Sequence, residues 1–586
     1  MYYKELSNWD EKPELNNLLF FASRIKELTF DYTLDSFKYP MMNACTICYE
    51  GIELIEEIEQ NNFNEKSIIP ILEELLFKFQ EDFISKKIIG ENLEYYINFG
   101  DYSNLKEIKV KLQLLAQKLN PLKYNEIVIS EINDIVLNSK NENSKLYKLS
   151  SLFVTNLVNI GYSQSYIYKN VNTIFFSRHR IENFEPLKEF FKNLEYDIQN
   201  YQVIFKCSKI LEEVKSTSGT FKSELVFTIP AELEKFDKNL FFSSKKENQI
   251  FFIAKNIEAL DPVSAKEIAE KRINKISNLF CFYHHKENPI WEDNTLVINT
   301  KSEYSFLIKE KISAMSKGRD LKPKKAASKL NRLINNIRLE DNSFSKYNRA
   351  IDLHGLSLQS KNIENQLLQN WIAFETLLVG YSKESKIEQV LKHLINFLTY
   401  KYVENIIEEI ARDLKKFKFM LFLRQIENVP FGNTFAEKLT ALIILDELKT
   451  ERHKLYSNLE RHPLLKYRIF EYHKKFSKVK SVEDLILRHK KLVEWQIKRM
   501  YRSRNLIVHA GVVPSYTEIL VEHSHNFLDK LLNTINNFSI ENLSIISIEQ
   551  VIKEVEILQN HQYKILSANR DKTVDKLIYE KVLLFK

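Results

Sequence analysis

The stretch Trp495-Gln496-Ile497-Lys498-Arg499-Met500-Tyr501-Arg502-Ser503-Arg504-Asn505-Leu506-Ile507-Val508-His509-Ala510-Gly511 decides how the last third of this chain is read. It reads as the end of a helix near 482–509, closed by the small residues Ala510 and Gly511 and followed by a break at Pro514. Within about two helical turns it carries arginines, a carboxamide and an imidazole. An arginine clamps phosphate bidentately and keeps its charge at any pH. A histidine moves protons near neutrality. On an ideal helix Arg502, Asn505 and His509 share a face, whereas Arg504 lies about 140° from His509.

The spacing from Arg504 to His509 has little weight alone. With 18 arginines and 13 histidines, chance supplies about 0.4 such pairs, and the chain holds three: Arg349/His354, Arg468/His473 and Arg504/His509. Context separates them. Only the third joins an adjacent Asn to neighbouring arginines, and it ends the most basic segment of the protein. Between Glu451 and Arg504 there are 16 Lys/Arg against 6 Asp/Glu, although the whole chain carries only +7. A second basic block, Lys309 to Arg338, has 10 against 2. Concentrated positive charge fits a polyanion such as nucleic acid, and fits a solvated helix face as well.

The 586 residues exceed one hydrophobic core, and 44% hydrophobic content excludes global disorder. Ten glycines and twelve prolines are few, which indicates a mainly helical fold. Residues 1–200 read as helices, with clear periodicity at 48–58 and 68–79, an Asn-rich loop at 138–143 and a Ser163 N-cap. Short β-branched and aromatic runs at 201–207, 224–229, 249–254 and 295–300, with a helix from Asp261 to about Phe282, make 201–315 a small α+β domain. Gly318 and Pro323 among like charges mark 316–340 as a basic linker. Helices resume over 341–540, where Ile363, Leu367, Trp371, Phe374 and Leu378 form a stripe of period 3.6. Residues 541–586 read as an appendage.

Cys45 and Cys48 form a lone C-x-x-C, read as helix packing, and the four cysteines make no disulfide framework. No metal or cofactor set is expected; the Walker and G-x-G-x-x-G patterns are absent. The start of the chain lacks a signal-peptide core and no apolar run reaches about 20 residues, so the expectation is a cytoplasmic protein with no membrane partner.

The segment Trp495 to His509 resembles the signature helix of HEPN-domain ribonucleases: Arg, a polar residue, spacers, then His. Arg349-Ala350-Ile351-Asp352-Leu353-His354 and Asn370-Trp371-Ile372-Ala373-Phe374-Glu375-Thr376-Leu377 resemble earlier helices of the ApeA-like HEPN group of bacterial phage-defence proteins. The resemblance covers 345–540, about a third of the chain. It implies a HEPN-type helical bundle and a metal-independent endoribonuclease, in which the ribose 2′-hydroxyl attacks the adjacent phosphate. It assigns phosphate and transition-state contacts to Arg504, orientation to Asn505, proton transfer to His509, auxiliary RNA contacts to Arg499 and Arg502, and an orienting role to Glu375. It further implies RNA as substrate, a homodimer with a composite site, a phage-derived trigger and a sensing role for the first 340 residues. The alternative is a catalytically silent HEPN module that binds RNA or dimerises.

Overall fold

The computed structural model describes residues 6–30, 42–60, 63–177, 180–309, 321–380, 382–417, 420–542 and 544–584. The fold is mainly α with one small antiparallel sheet in the middle. The helices read at 48–58 and 68–79 are Ala44–Glu59 and Ile69–Glu81. Asn43 caps the first by accepting from the Thr46 N–H at 2.9 Å, and Pro70 occupies the first turn of the second, where its missing N–H costs nothing. Ser163 precedes the helix Gln164–Phe175, but its hydroxyl does not cap it; its N–H donates to Asp261 at 2.8 Å. Asp261 also accepts from Val263 and Ser264, so one buried carboxylate caps the helix Pro262–Tyr283 and ties it to the helical region before it.

The sheet contains β1 (Gln199–Ser208), β2 (Ser223–Val226), β3 (Gln249–Ala259), β4 (Thr295–Asn299) and β5 (Tyr304–Ile308), in the order β2-β3-β1-β4-β5. Four of these strands are the apolar runs read above. The fifth is an edge strand behind a turn with Glu303 at φ +53°, outside the apolar runs read above. Central strands β1 and β3 alternate between two cores. Val203, Phe205 and Phe252 face the helix Pro262–Tyr283, while Ile204, Phe251 and Ile253 meet Leu233 and Phe241.

The hydrophobic cores cut across the expected divisions. Ile47, Leu72 and Leu112 from the first 120 residues share one core with Trp371, Phe374, Ile497, Met500, Leu528 and Val551. A second core gathers Phe20, Phe21, Phe153, Phe175 and Phe190. The stretch 400–480 has its own core around Ile406, Leu442, Ile469 and Val482, completed by Val582 and Leu583 from the end of the chain. The last residues are therefore structural: the helix Ile548–Ala568 places Val551 in the first core and Leu566 in the third. In the expected basic linker, 316–320 lie outside the described residues, and Pro323–Asn336 is a helix with no buried residue. Cys45 and Cys48 are packing residues. Burial pushes the Cys45 thiol up to about 12 and raises the Cys48 thiol well above its ordinary value, so both stay protonated and inert.

His489 lies half-buried in the long helix Val479–Asn505, its ring stacked on Tyr402 with centroids 3.7 Å apart and planes 4° apart. Burial lowers its pKa to about 4 despite a hydrogen bond to the Leu398 carbonyl. A folded-state pKa below the unfolded one contributes stability that is present above the unfolded value of 6.5 and lost as pH falls toward 4. Urea denaturation is therefore expected to show stability falling across this window, with a smaller fall in His489→Phe. An unchanged slope in that variant would assign the loss to other groups.

Candidate active site

The helix Val479–Asn505 does not end as an α-helix. It passes into one π turn, Leu506–Ala510, closed by Gly511 in the left-handed region at φ +66°. The Leu506 carbonyl accepts from Gly511 N–H and from Val512 N–H at 3.2 Å. A side chain at 511 is strained by that φ, which is why glycine stands there. A π turn closes over five residues rather than four and is concentrated at functional sites. Its underwinding narrows the angle of about 140° that an ideal α-helix sets between Arg504 and His509. The backbone thus favours the five-residue spacing that the α-helix disfavours.

Arg504 and Asn505 are half-buried and His509 is exposed. Arg504 Nη1 donates to Asn505 Oδ1 at 3.0 Å, so the carboxamide holds the guanidinium rather than the imidazole. His509 has no hydrogen bond or ion pair among the described residues. Val508, Val512 and Val513 around it are all exposed, an apolar rim beside a polar group.

Arg499 and Arg502 are placed elsewhere. Expected as RNA contacts, both are buried inside the protein. Arg499 forks onto Glu50, with Nε at 2.9 Å from Oε1 and Nη2 at 2.7 Å from Oε2, and reaches Glu74 at 2.6 Å. Arg502 donates to Glu50 at 2.7 Å. Two guanidiniums against two carboxylates form a closed network from which neither arginine reaches a phosphate in solvent. It fastens the motif helix to the helices Ala44–Glu59 and Ile69–Glu81. The sequence held a signal for it: Glu50 lies between Ile47 and Leu54 on the apolar face of its helix, where a carboxylate needs a partner.

Glu375 is half-buried and accepts the Trp371 indole N–H at 2.7 Å. Trp371 is buried against Tyr501 at 5.5 Å between rings. Glu375 thereby positions a side chain that packs on the motif helix and touches neither Arg504 nor His509 through a hydrogen bond.

The arginines of the basic block are mostly held from within. Arg452 donates to the Leu442 and Leu445 carbonyls, Arg461 pairs with Glu11, Arg468 with Glu27 and Asp413, and Arg488 with Glu81. Together with Arg499 and Arg502, six of the seven arginines between 451 and 504 have internal anionic or carbonyl partners. Arg504 has only the neutral Asn505 among the described residues. The chain matches no family model, and no curated protein or solved structure is similar to it.

The other two Arg/His pairs also resolve. His473 Nδ1 lies 2.7 Å from the Ile443 carbonyl and Arg468 is buried, so that pair belongs to the third core. His354 faces Asp529 and His525, a grouping that the chain's linear order hides. No helix among the described residues is long and apolar enough to cross a membrane.

Proposed function

We propose that this chain is a HEPN-type, metal-independent endoribonuclease whose site is Arg504, Asn505 and His509, completed by a second copy of the chain. The carrying observation is that Arg504, alone among the arginines from 488 to 504, has no carboxylate partner among the described residues, and it stands about one turn from an exposed histidine. In this reading Arg504 binds the non-bridging oxygens and stabilises charge at the pentacoordinate transition state. The ribose 2′-oxygen bonds to phosphorus as its proton passes to an imidazole. The P–O5′ bond breaks, a protonated imidazole supplies the proton to the leaving oxygen, and a 2′,3′-cyclic phosphate remains. A catalyst that uses the 2′-hydroxyl cuts RNA and spares DNA.

The apolar rim supports assembly of two copies at this end of the motif helix. Val512→Asp is expected to shift the protein toward monomer in light scattering and to abolish cleavage with the fold intact. A monomer–dimer equilibrium unmoved by this change would remove the rim from the interface. The grip of Glu50 and Glu74 on the motif helix supports a regulatory role for the amino-terminal helices, as in a phage-defence enzyme or toxin released by a phage-derived trigger. Incubation of the purified chain with labelled single-stranded RNA tests the function. Fragments support the nuclease; shifted, intact RNA under activating conditions supports the silent scaffold.

A further inference from the structure

His354 on the helix Asp341–Gln359 meets His525 and Asp529, one turn apart on the helix Thr517–Glu541. Asp529 presents Oδ1 at 3.3 Å from His354 Nε2 and Oδ2 at 3.3 Å from His525 Nε2. The imidazoles stack with centroids 5.1 Å apart and planes 19° apart. All three ligating atoms lie within 4.8 Å of one another. The geometry points to a zinc-class metal site with two imidazole nitrogens and one carboxylate oxygen as protein ligands.

Ligand atoms about 2.0–2.2 Å from a tetrahedral zinc stand about 3.3–3.5 Å apart, and each imidazole nitrogen stands 3.3 Å from one of the two Asp529 oxygens, a different one for each ring. An ordinary Asp–His hydrogen bond explains the contact less well. His354 Nε2 is buried, yet it has no partner of hydrogen-bonding geometry among the described residues. A buried nitrogen without such a partner is costly, and a metal ion removes that cost. Two imidazoles select zinc and its transition-metal neighbours over calcium and magnesium, which take oxygen ligands. The Asp529 side chain is 39% exposed, so solvent can supply the fourth ligand. The frame is fixed beside the site: Asn370 Nδ2 donates to Ser524 Oγ at 2.9 Å, and the Ser357 hydroxyl donates to the Gln366 carbonyl at 3.2 Å. The ion clips the first helix of the carboxy-terminal bundle to the helix that follows the motif. It is independent of the ribonuclease reading, since it uses none of Arg504, Asn505 or His509.

The test is metal content and affinity of the full chain, stripped with chelator and dialysed against micromolar Zn²⁺, with Co²⁺ as a visible probe. One zinc per chain is expected, with the d–d absorption of four-coordinate Co²⁺. His354→Asn and Asp529→Asn should each weaken binding by about tenfold or more, with helical circular dichroism retained. If His354→Asn does not fold, the partly exposed Asp529→Asn decides alone. A wild-type chain that takes up no zinc, or a folded variant that binds as tightly as wild type, overturns the site and leaves an Asp529 bridge between two histidines.

Discussion

Alanine at Arg504 is expected to slow RNA cleavage by about 10²–10³-fold, the usual cost of deleting one donor to a transition-state oxyanion. Alanine at His509 is expected to cost about 10²–10⁴-fold, the usual contribution of a general acid–base. Neither change should unfold the protein. Arg504 donates only to its neighbour Asn505 and His509 is exposed, so stability should move by no more than about 0.5 kcal/mol. The contrast with nearby arginines sharpens the expectation. Alanine at Arg499 or Arg502 strikes a buried ion network and should reduce stability first. Cleavage kinetics beside thermal melts for the three arginine variants separate the roles. Full cleavage by both Arg504→Ala and His509→Ala would remove the site assignment.

Glu50→Gln is expected to destabilise the protein by about 3–5 kcal/mol, because removing one partner leaves a buried charge uncompensated. Glu50 accepts from Arg499 Nε and Nη2 and from Arg502 Nη2, and all three side chains are buried. After the substitution Arg502 loses its carboxylate and Arg499 keeps only Glu74. Burial alone pushes the Glu50 carboxyl up, but Arg499 and Arg502 outweigh it and hold it at about 2. A depressed folded-state pKa contributes stability that is complete above the usual 4.5 and lost as pH falls through about 2. Urea midpoints for wild type should therefore decline across that window, below the one set by His489, and Glu50→Gln should flatten the decline. A variant as stable as wild type would show that the network does not hold the motif helix.

What could be read along the chain was what depends on neighbours in sequence. The helix Ile363–Leu378 follows from its apolar stripe, and β1, β3 and β4 follow from their Val, Ile and Phe runs. The roles of Arg499 and Arg502 could not be read that way, because Glu50 is 449 and 452 residues distant. The basic block therefore reads as a face for a polyanion or for solvent, whereas five of its seven arginines are answered by Glu11, Glu27, Glu50, Glu74 and Glu81 from the first 81 residues. The π turn was illegible for a different reason: no residue type between Leu506 and Ala510 demands it, and only Gly511 marks its end. That turn matters most for the site, since it brings the Arg504–His509 spacing toward a common face. His354 reads as a chance match in spacing because its partners, His525 and Asp529, lie on a helix about 170 residues later.

The most direct measurement of the central claim is the chemistry of the cut ends. Single-stranded RNA is incubated with the activated chain in EDTA, alongside the same RNA carrying a 2′-deoxy sugar at the cleaved position. The account predicts fragments ending in 2′,3′-cyclic phosphate and no cut at the deoxy position. Cleavage that leaves 3′-hydroxyl ends or proceeds at the 2′-deoxy sugar would contradict it.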